Sequence, residues 1–246
     1  MLNRYYTSHE VAELRLADNK IYGLPAASLT KTSSNLNNAK GFFGETIIGG
    51  ILDLIAIETP GAYVCHSVGF IDNTSGEIDH VLVYKDRIIL VETKAFSGYT
   101  SYRVNKEGVV MASYGSGKGR RINDSNIVRK VEYFQEQFPN RKVQAILAIA
   151  RDEVKTWSEN GTYKVASLDN IMKLIRQQMA EAEDIREPAW SAVKSFATMC
   201  VKPHHAHNAD PSSPVTAAIP VPVVTERVFA PHKPTGYANR PAPLRH

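Results

Sequence analysis

The sequence predicts an α/β domain built on a mixed β-sheet flanked by helices. Three observations predict it. A wide apolar helical face runs through residues 41–57, with Phe43, Ile47, Ile48, Ile51, Leu52, Leu54 and Ile55 at helical spacing. Three apolar strand-like runs follow within 62–94. A helix period, a continuous apolar run at 143–150 and two more helix periods then complete the order helix, three strands, helix, strand, helix.

The elements can be justified in turn. Thr7-Ser8-His9-Glu10 is a capping box, followed by Val11, Leu14 and Leu16, so a short helix is expected at 8–18. Residues 26–40 are small and polar without a period and read as a linker or a mobile loop, so residues 1–40 precede the core proper. The strands are expected at 62–70, 78–84 and 88–94. Asp72-Asn-Thr-Ser-Gly76 separates the first pair and Lys85-Asp86 the second. Weaker strands are expected at 99–104 and 109–113, before a glycine-rich loop. Ile127, Val131, Phe134 and Phe138 mark one face of a helix at 125–138. The run 143–150 fits a strand buried on both faces. Ile171, Leu174, Ile175 and Met179 point inward from a helix at 168–182, and a last helix covers 188–200.

The core is therefore expected at 41–201, with 202–246 as a separate tail. Nine of the thirteen prolines and five of the eight histidines fall in that tail, which carries no apolar period and reads as disordered. Such extended segments are the kind that other proteins recognise. The tail also carries most of the net charge of +4, so the core lacks a generally basic surface. Any nucleic-acid affinity must come from local patches. Two cysteines, Cys65 and Cys200, exclude a disulfide framework and a four-cysteine zinc site. Without a secretion-type apolar segment or a membrane-length apolar run, a cytoplasmic location and no membrane partner are expected.

Chemistry concentrates in 76–94. If the hairpin turns at Lys85-Asp86, Tyr84 pairs with Arg87 and Asp79 falls opposite Glu92, on one face. Lys94 joins that face two residues on, and Val81, Val83, Ile88 and Leu90 give it an apolar floor. Two carboxylates about 4 Å apart repel by about 4 kcal/mol at an effective dielectric near 20. A proton, a divalent cation or the Lys94 ammonium must compensate. Oxygen-only ligands favour a hard ion, Mg²⁺ or Mn²⁺. Such an ion polarises a phosphoryl oxygen, and a neighbouring lysine stabilises charge as it develops. The competing reading is a surface hairpin with a Glu–Lys pair. Glu45 stands three and seven residues before Ile48 and Leu52, tilted toward the buried face of its helix. It reads equally as a supporting acid or as a first-turn glutamate favoured by the helix dipole.

Gly44-Glu45, then Gly76-Glu77-Ile78-Asp79-His80, then Val91-Glu92-Thr93-Lys94 and Gly98 together resemble the nuclease-related domain (NERD) family, which is similar to the broader PD-(D/E)XK nucleases. The resemblance covers roughly 41–180, including Asn126. It implies a restriction-endonuclease-like core that is a metal-dependent nuclease acting on DNA. Asp79, Glu92 and Glu45 would be its acidic and metal-holding residues, and Lys94 its catalytic lysine. Two positions depart from the family pattern: Ile127 stands for its proline and Lys130 for its glutamine. A lysine at 130 could meet a phosphate.

Other features weigh less. Residues 114–121 form a basic glycine loop that lacks the Ser or Thr of a phosphate-binding P-loop. It reads as a connection, or as a loop setting Lys118, Arg120 and Arg121 against phosphates. The His204-His205-Ala206-His207 cluster reads as incidental. His80 is expected on the sheet face opposite Asp79 as a satisfied core histidine, and Trp157 and Trp190 as core or packing residues. The alternative function is a non-catalytic nucleic-acid-binding or protein-interaction module of the same fold.

Overall fold

Pairing of the strands gives two sheets rather than one. The computed structural model describes residues 20–27, 36–69, 76–95, 98–115, 119–122 and 126–200. In chain order its elements begin β1 (Ile21–Tyr22), α1 (Leu36–Glu58), β2 (Ala62–Gly69), β3 (Glu77–Tyr84), β4 (Arg87–Lys94), β5 (Ser101–Val104) and β6 (Val110–Ser113). They continue β7 (Gly119–Arg121), α2 (Ile127–Gln137), β8 (Lys142–Ile149), β9 (Lys155–Ser158), β10 (Tyr163–Ser167), α3 (Ile171–Ala180) and α4 (Ala189–Met199). The expected helix at 8–18, the tail at 202–246 and Lys118 lie outside the described residues. By contacts the chain divides at Asp210, and every described residue belongs to the first unit.

The large sheet runs β1-β2-β3-β4-β8-β10, with β2-β3-β4 antiparallel and the remaining pairs parallel. The small sheet runs β7-β6-β5-β9. Helices α1 and α3 cover one face of the large sheet, where Ile48, Leu52, Ile55, Ile171 and Ile175 meet Leu82, Ile89, Val91 and Ile146. On the other face Val81, Val83, Ile88 and Leu90 pack with the inner residues of the small sheet (Tyr102, Val104, Val110 and Ala112). Helices α2 and α4 join them there through Ile127, Phe134 and Phe196. Each large apolar side chain so buried stabilises the fold by about 1.5–3 kcal/mol. Strand β8 is buried on both faces from Ala145 onward, as its unbroken apolar run predicts.

Several departures have physical reasons. Helix α1 starts at Leu36, inside the expected linker, because its first turn has no apolar period to reveal it. Strands β1, β7 and β9 are short and held by pairing with neighbours rather than by any local pattern. Trp157 is not a core residue: it stands on β9 with 46% of its surface exposed. Trp190 does pack, its ring 5.8 Å from Tyr22 and 6.0 Å from Tyr63.

The β3–β4 turn lacks a glycine, and Lys85 adopts φ 48°. Partners from elsewhere hold it. The buried Arg141 guanidinium donates to the Lys85 carbonyl. Asp86 accepts from the Glu183 amide at 2.8 Å, and its carbonyl accepts from the Lys142 amide at 2.7 Å. Behind the hairpin, His66 Nε2 lies 2.8 Å from Asp53 Oδ1 and His66 Nδ1 lies 2.8 Å from His80 Nδ1, all three residues buried. If Asp53 is ionised and His66 neutral, His66 donates from Nε2 and His80 must carry its proton on Nδ1. His80 thus faces α1, opposite Asp79, as its place in the strand predicts. No helix among the described residues is long and apolar enough to cross a membrane.

Candidate active site

Strands β3 and β4 follow the expected register from Tyr84↔Arg87 to His80↔Val91 and then part. Below that point β3 stays with β2, through Val68↔Ile78 and Gly69↔Glu77. Asp79 and Glu92 sit at the mouth of this fork rather than as a bonded pair. In a continued ladder Thr93 would bond the backbone of β3. Instead its N–H donates to Asp79 Oδ2 at 2.6 Å.

Two ammonium groups fill the fork. Lys94 Nζ donates to Glu92 Oε1 at 2.7 Å, and Lys130 Nζ lies 3.5 Å from Glu92 Oε2. Lys130 also donates to the Glu77 carbonyl at 2.6 Å. That carbonyl needs a partner because β4 has turned away. Lys130 is only 2% exposed, so in this structure it is an interior cation and not a surface contact for phosphate. The reason is its place on α2: it follows Ile127 and precedes Val131 and Phe134 on the buried side of that helix.

Glu45 arrives from the other face of the sheet. Gly44 makes this approach possible: a Cβ there would lie 3.1 Å from Ala150 Cβ and 3.2 Å from Ala95 Cβ. The bare backbone lets α1 rest on the ends of β4 and β8, so the next residue reaches round the sheet edge. Burial, and then the nearby Glu77, push the Glu45 carboxyl up to about 7, against the pull of Lys94. Asp79 is raised well above the ordinary carboxylate range by burial, then by Glu92 and Glu45, with Lys94 and the Thr93 amide opposing. Burial works against the Lys94 ammonium, but Glu92, Asp79 and Glu45 outweigh it and its pKa ends raised. The fork is thus a crowd of carboxyls whose excess negative charge two lysines only partly balance.

Glu45, Asp79, Glu92 and Lys94 are therefore brought together, and Glu77 and Lys130 join them. Glu77 stands two residues before Asp79 on β3 and so shares its face. Its Oε1 and the Oε2 of Glu92 are buried without a hydrogen-bond partner among the described residues. No group of three or more His, Cys, Asp or Glu side chains among the described residues is gathered as a metal cage. Arg120 and Arg121 are exposed on β7, in the small sheet rather than the sheet that bears the fork.

Comparison with curated proteins and with solved structures gives no match. A family match does appear, and it spans the elements that build the fork: residues 40–150 match the family described as nuclease-related domain. That stretch runs from Lys40 in α1, past both carboxylate-bearing strands and Lys130, to the end of β8. Over that stretch the chain is similar to the nuclease-related domain family, and its mixed α/β architecture is consistent with a restriction-endonuclease-like core.

Proposed function

We propose that the protein is a metal-dependent nuclease hydrolysing phosphodiester bonds, with DNA the favoured substrate and the β3–β4 fork its active site. The observation that carries this reading is the convergence of four carboxylates, Glu45, Glu77, Asp79 and Glu92, on one lysine-bearing strand end. The donor set fits a hard divalent cation. Two of its oxygens are buried without a hydrogen-bond partner among the described residues, and its donors are carboxylate oxygens. Asp79 and Glu92 would hold Mg²⁺ or Mn²⁺, with Glu45 supporting. When bound, such an ion would polarise the phosphoryl group and acidify water.

The remaining work belongs to the chain. The Thr93 amide fixes one oxygen of Asp79 and aims the other into the fork. Lys94 cannot ligate a metal, since an ammonium has no lone pair. Its place is beside the reacting phosphate, where it steadies charge as the transition state forms. Lys130 holds Glu92 in position from behind. Arg120 and Arg121 are available to phosphates outside the fork.

One observation favours the alternative, a nucleic-acid-binding module without catalysis. The Lys130 ammonium already lies 3.5 Å from Glu92 Oε2, where a cation would compete with it. One experiment separates the two. Pure protein is incubated with supercoiled, linear and single-stranded DNA, and with RNA, in Mg²⁺, Mn²⁺ or EDTA. Cleavage that needs the metal and is lost in Asp79→Asn supports the nuclease. No cleavage, with no metal binding by calorimetry, leaves the binding module.

A further inference from the structure

The outer face of the small sheet carries an ordered set of polar, basic and aromatic side chains. Strand pairing aligns two rows across it. Arg121 pairs with Met111, Met111 with Arg103, and Arg103 with Trp157. The adjacent row runs Gly119, Ser113, Ser101 and Lys155. Alternation puts all eight on one face, because the intervening Tyr102, Val104, Val110 and Ala112 are buried on the other.

The small residues of the second row leave a groove of about 790 Å³ between Tyr114 and Trp157. Both rings are 46% exposed. Tyr114 is backed by Tyr99, with ring centroids 4.5 Å apart, so its outer face is held ready. Trp157 is also shared with a second groove of about 320 Å³ that carries Lys164 and Lys173. The acids nearby are Glu153, on the groove wall, and Glu159, 3.7 Å from Arg103. The cations Arg103, Arg121 and Lys155 outnumber them on the sheet face.

We infer that this face is a platform for single-stranded nucleic acid, with bases stacked on Trp157 and Tyr114 and phosphates met by Arg103, Arg121 and Lys155. The inference rests on the nucleic-acid-directed function proposed above and adds a strand preference to it. Flat exposed aromatic faces interleaved with cations bind unpaired bases, since a duplex hides its base faces in its own stack. With strands about 4.8 Å apart, a four-strand row spans about 14 Å. That accommodates about four bases at a stacked rise near 3.4 Å. The groove wall at Thr100 and the site lysine Lys94 are six positions apart in the chain, a reach of at most about 20 Å.

The test uses the full chain in EDTA, so that binding is read without cleavage. Fluorescein-labelled oligothymidylate and oligouridylate are titrated by anisotropy, with a blunt DNA duplex alongside. Trp157 is followed by fluorescence quenching in a Trp190→Phe background. The expected result is preference for the single strands, quenching of Trp157, and at least about tenfold weaker binding in Trp157→Ala, the scale of one lost base–aromatic stack. Ser101→Asp, which puts a negative charge on the groove floor, should weaken binding as well. The salt dependence should flatten by about 0.7 in log–log slope for each of Arg103, Arg121 and Lys155 removed. Thermal midpoints show whether each variant is folded. Equal affinity for duplex, no binding to any single strand, or wild-type binding by both Trp157→Ala and Ser101→Asp would overturn the platform. Cleavage by wild type with unaltered binding in these variants removes the platform alone. Trp157-dependent binding with no cleavage in Mg²⁺ or Mn²⁺ removes the nuclease alone.

Discussion

The backbone N–H of Thr93 bonds the side chain of Asp79 at the point where their strands separate. The carboxylate therefore has two duties, closing the end of a ladder and supplying charge to the fork. Asp79→Asn keeps an acceptor for the amide and removes only the charge. It should unfold near the wild-type midpoint yet lose most cleavage, with excess Mn²⁺ restoring part of it. Asp79→Ala removes both and should also lose about 1–3 kcal/mol of stability. Cleavage against metal concentration, beside urea unfolding, checks the pair of variants.

Lys94→Ala should lower cleavage by about 10²–10³, the scale of one lost transition-state contact. Circular dichroism and Mg²⁺ binding should stay near wild type, and Mn²⁺ should not rescue it. A variant that cleaves normally would place the observed activity elsewhere.

Lys130→Met should destabilise the protein by about 1–3 kcal/mol, because the Glu77 carbonyl and Glu92 Oε2 lose their cation in a buried setting. Added Mg²⁺ should recover part of that loss by supplying charge to Glu92. Unfolding in urea with and without the ion measures both. Unchanged stability would mean that Lys130 is a passenger in the fork.

The carboxyls of Glu45 and Asp79 are raised by folding, so their linkage runs opposite to that of an ordinary ion-paired acid. The folded state holds their protons more tightly than the unfolded chain. The favourable contribution of Glu45 is full below its ordinary value of 4.5 and is lost as pH rises through about 7. In EDTA the thermal midpoint should therefore fall between about pH 5 and about pH 8, and fall less in Glu45→Gln. Mg²⁺ should flatten the same profile and release protons on binding. A midpoint that climbs over this range in EDTA would contradict the linkage.

Much of this is legible in the sequence itself. The helix period through Ile48, Leu52 and Ile55 and the two-sided apolar run of β8 identify their elements because burial itself writes the pattern. The hairpin register followed from the two-residue turn, and it put Asp79, Glu92 and Lys94 on one face. What the sequence could not reveal were effects of strands leaving each other. Glu77 shares the strand face of Asp79 and Lys130 the buried side of α2, but that Lys130 meets both Glu92 and the Glu77 carbonyl depends on where β4 ends its pairing with β3. That meeting leaves no local pattern. The small sheet was equally hidden: β7 and β9 are three and four residues long, and they owe their conformation to partners distant in sequence. Trp157 was misread for the same reason, since nothing near it in the sequence says which side of β9 faces solvent.

The glycine-free turn at Lys85-Asp86 acts at a distance of about 23 Å, seven strand residues from Asp79. Side chains alternate with a period of two, so the hairpin behaves like a ratchet with only even steps. One residue added to the turn on the β3 side would present His80 to the fork and send Asp79 to the α1 side. Arg141, Lys142 and Glu183 grip that turn from other parts of the chain, and so they index the carboxylates through the turn. A deletion or insertion there should erase the site while leaving the strands themselves in place.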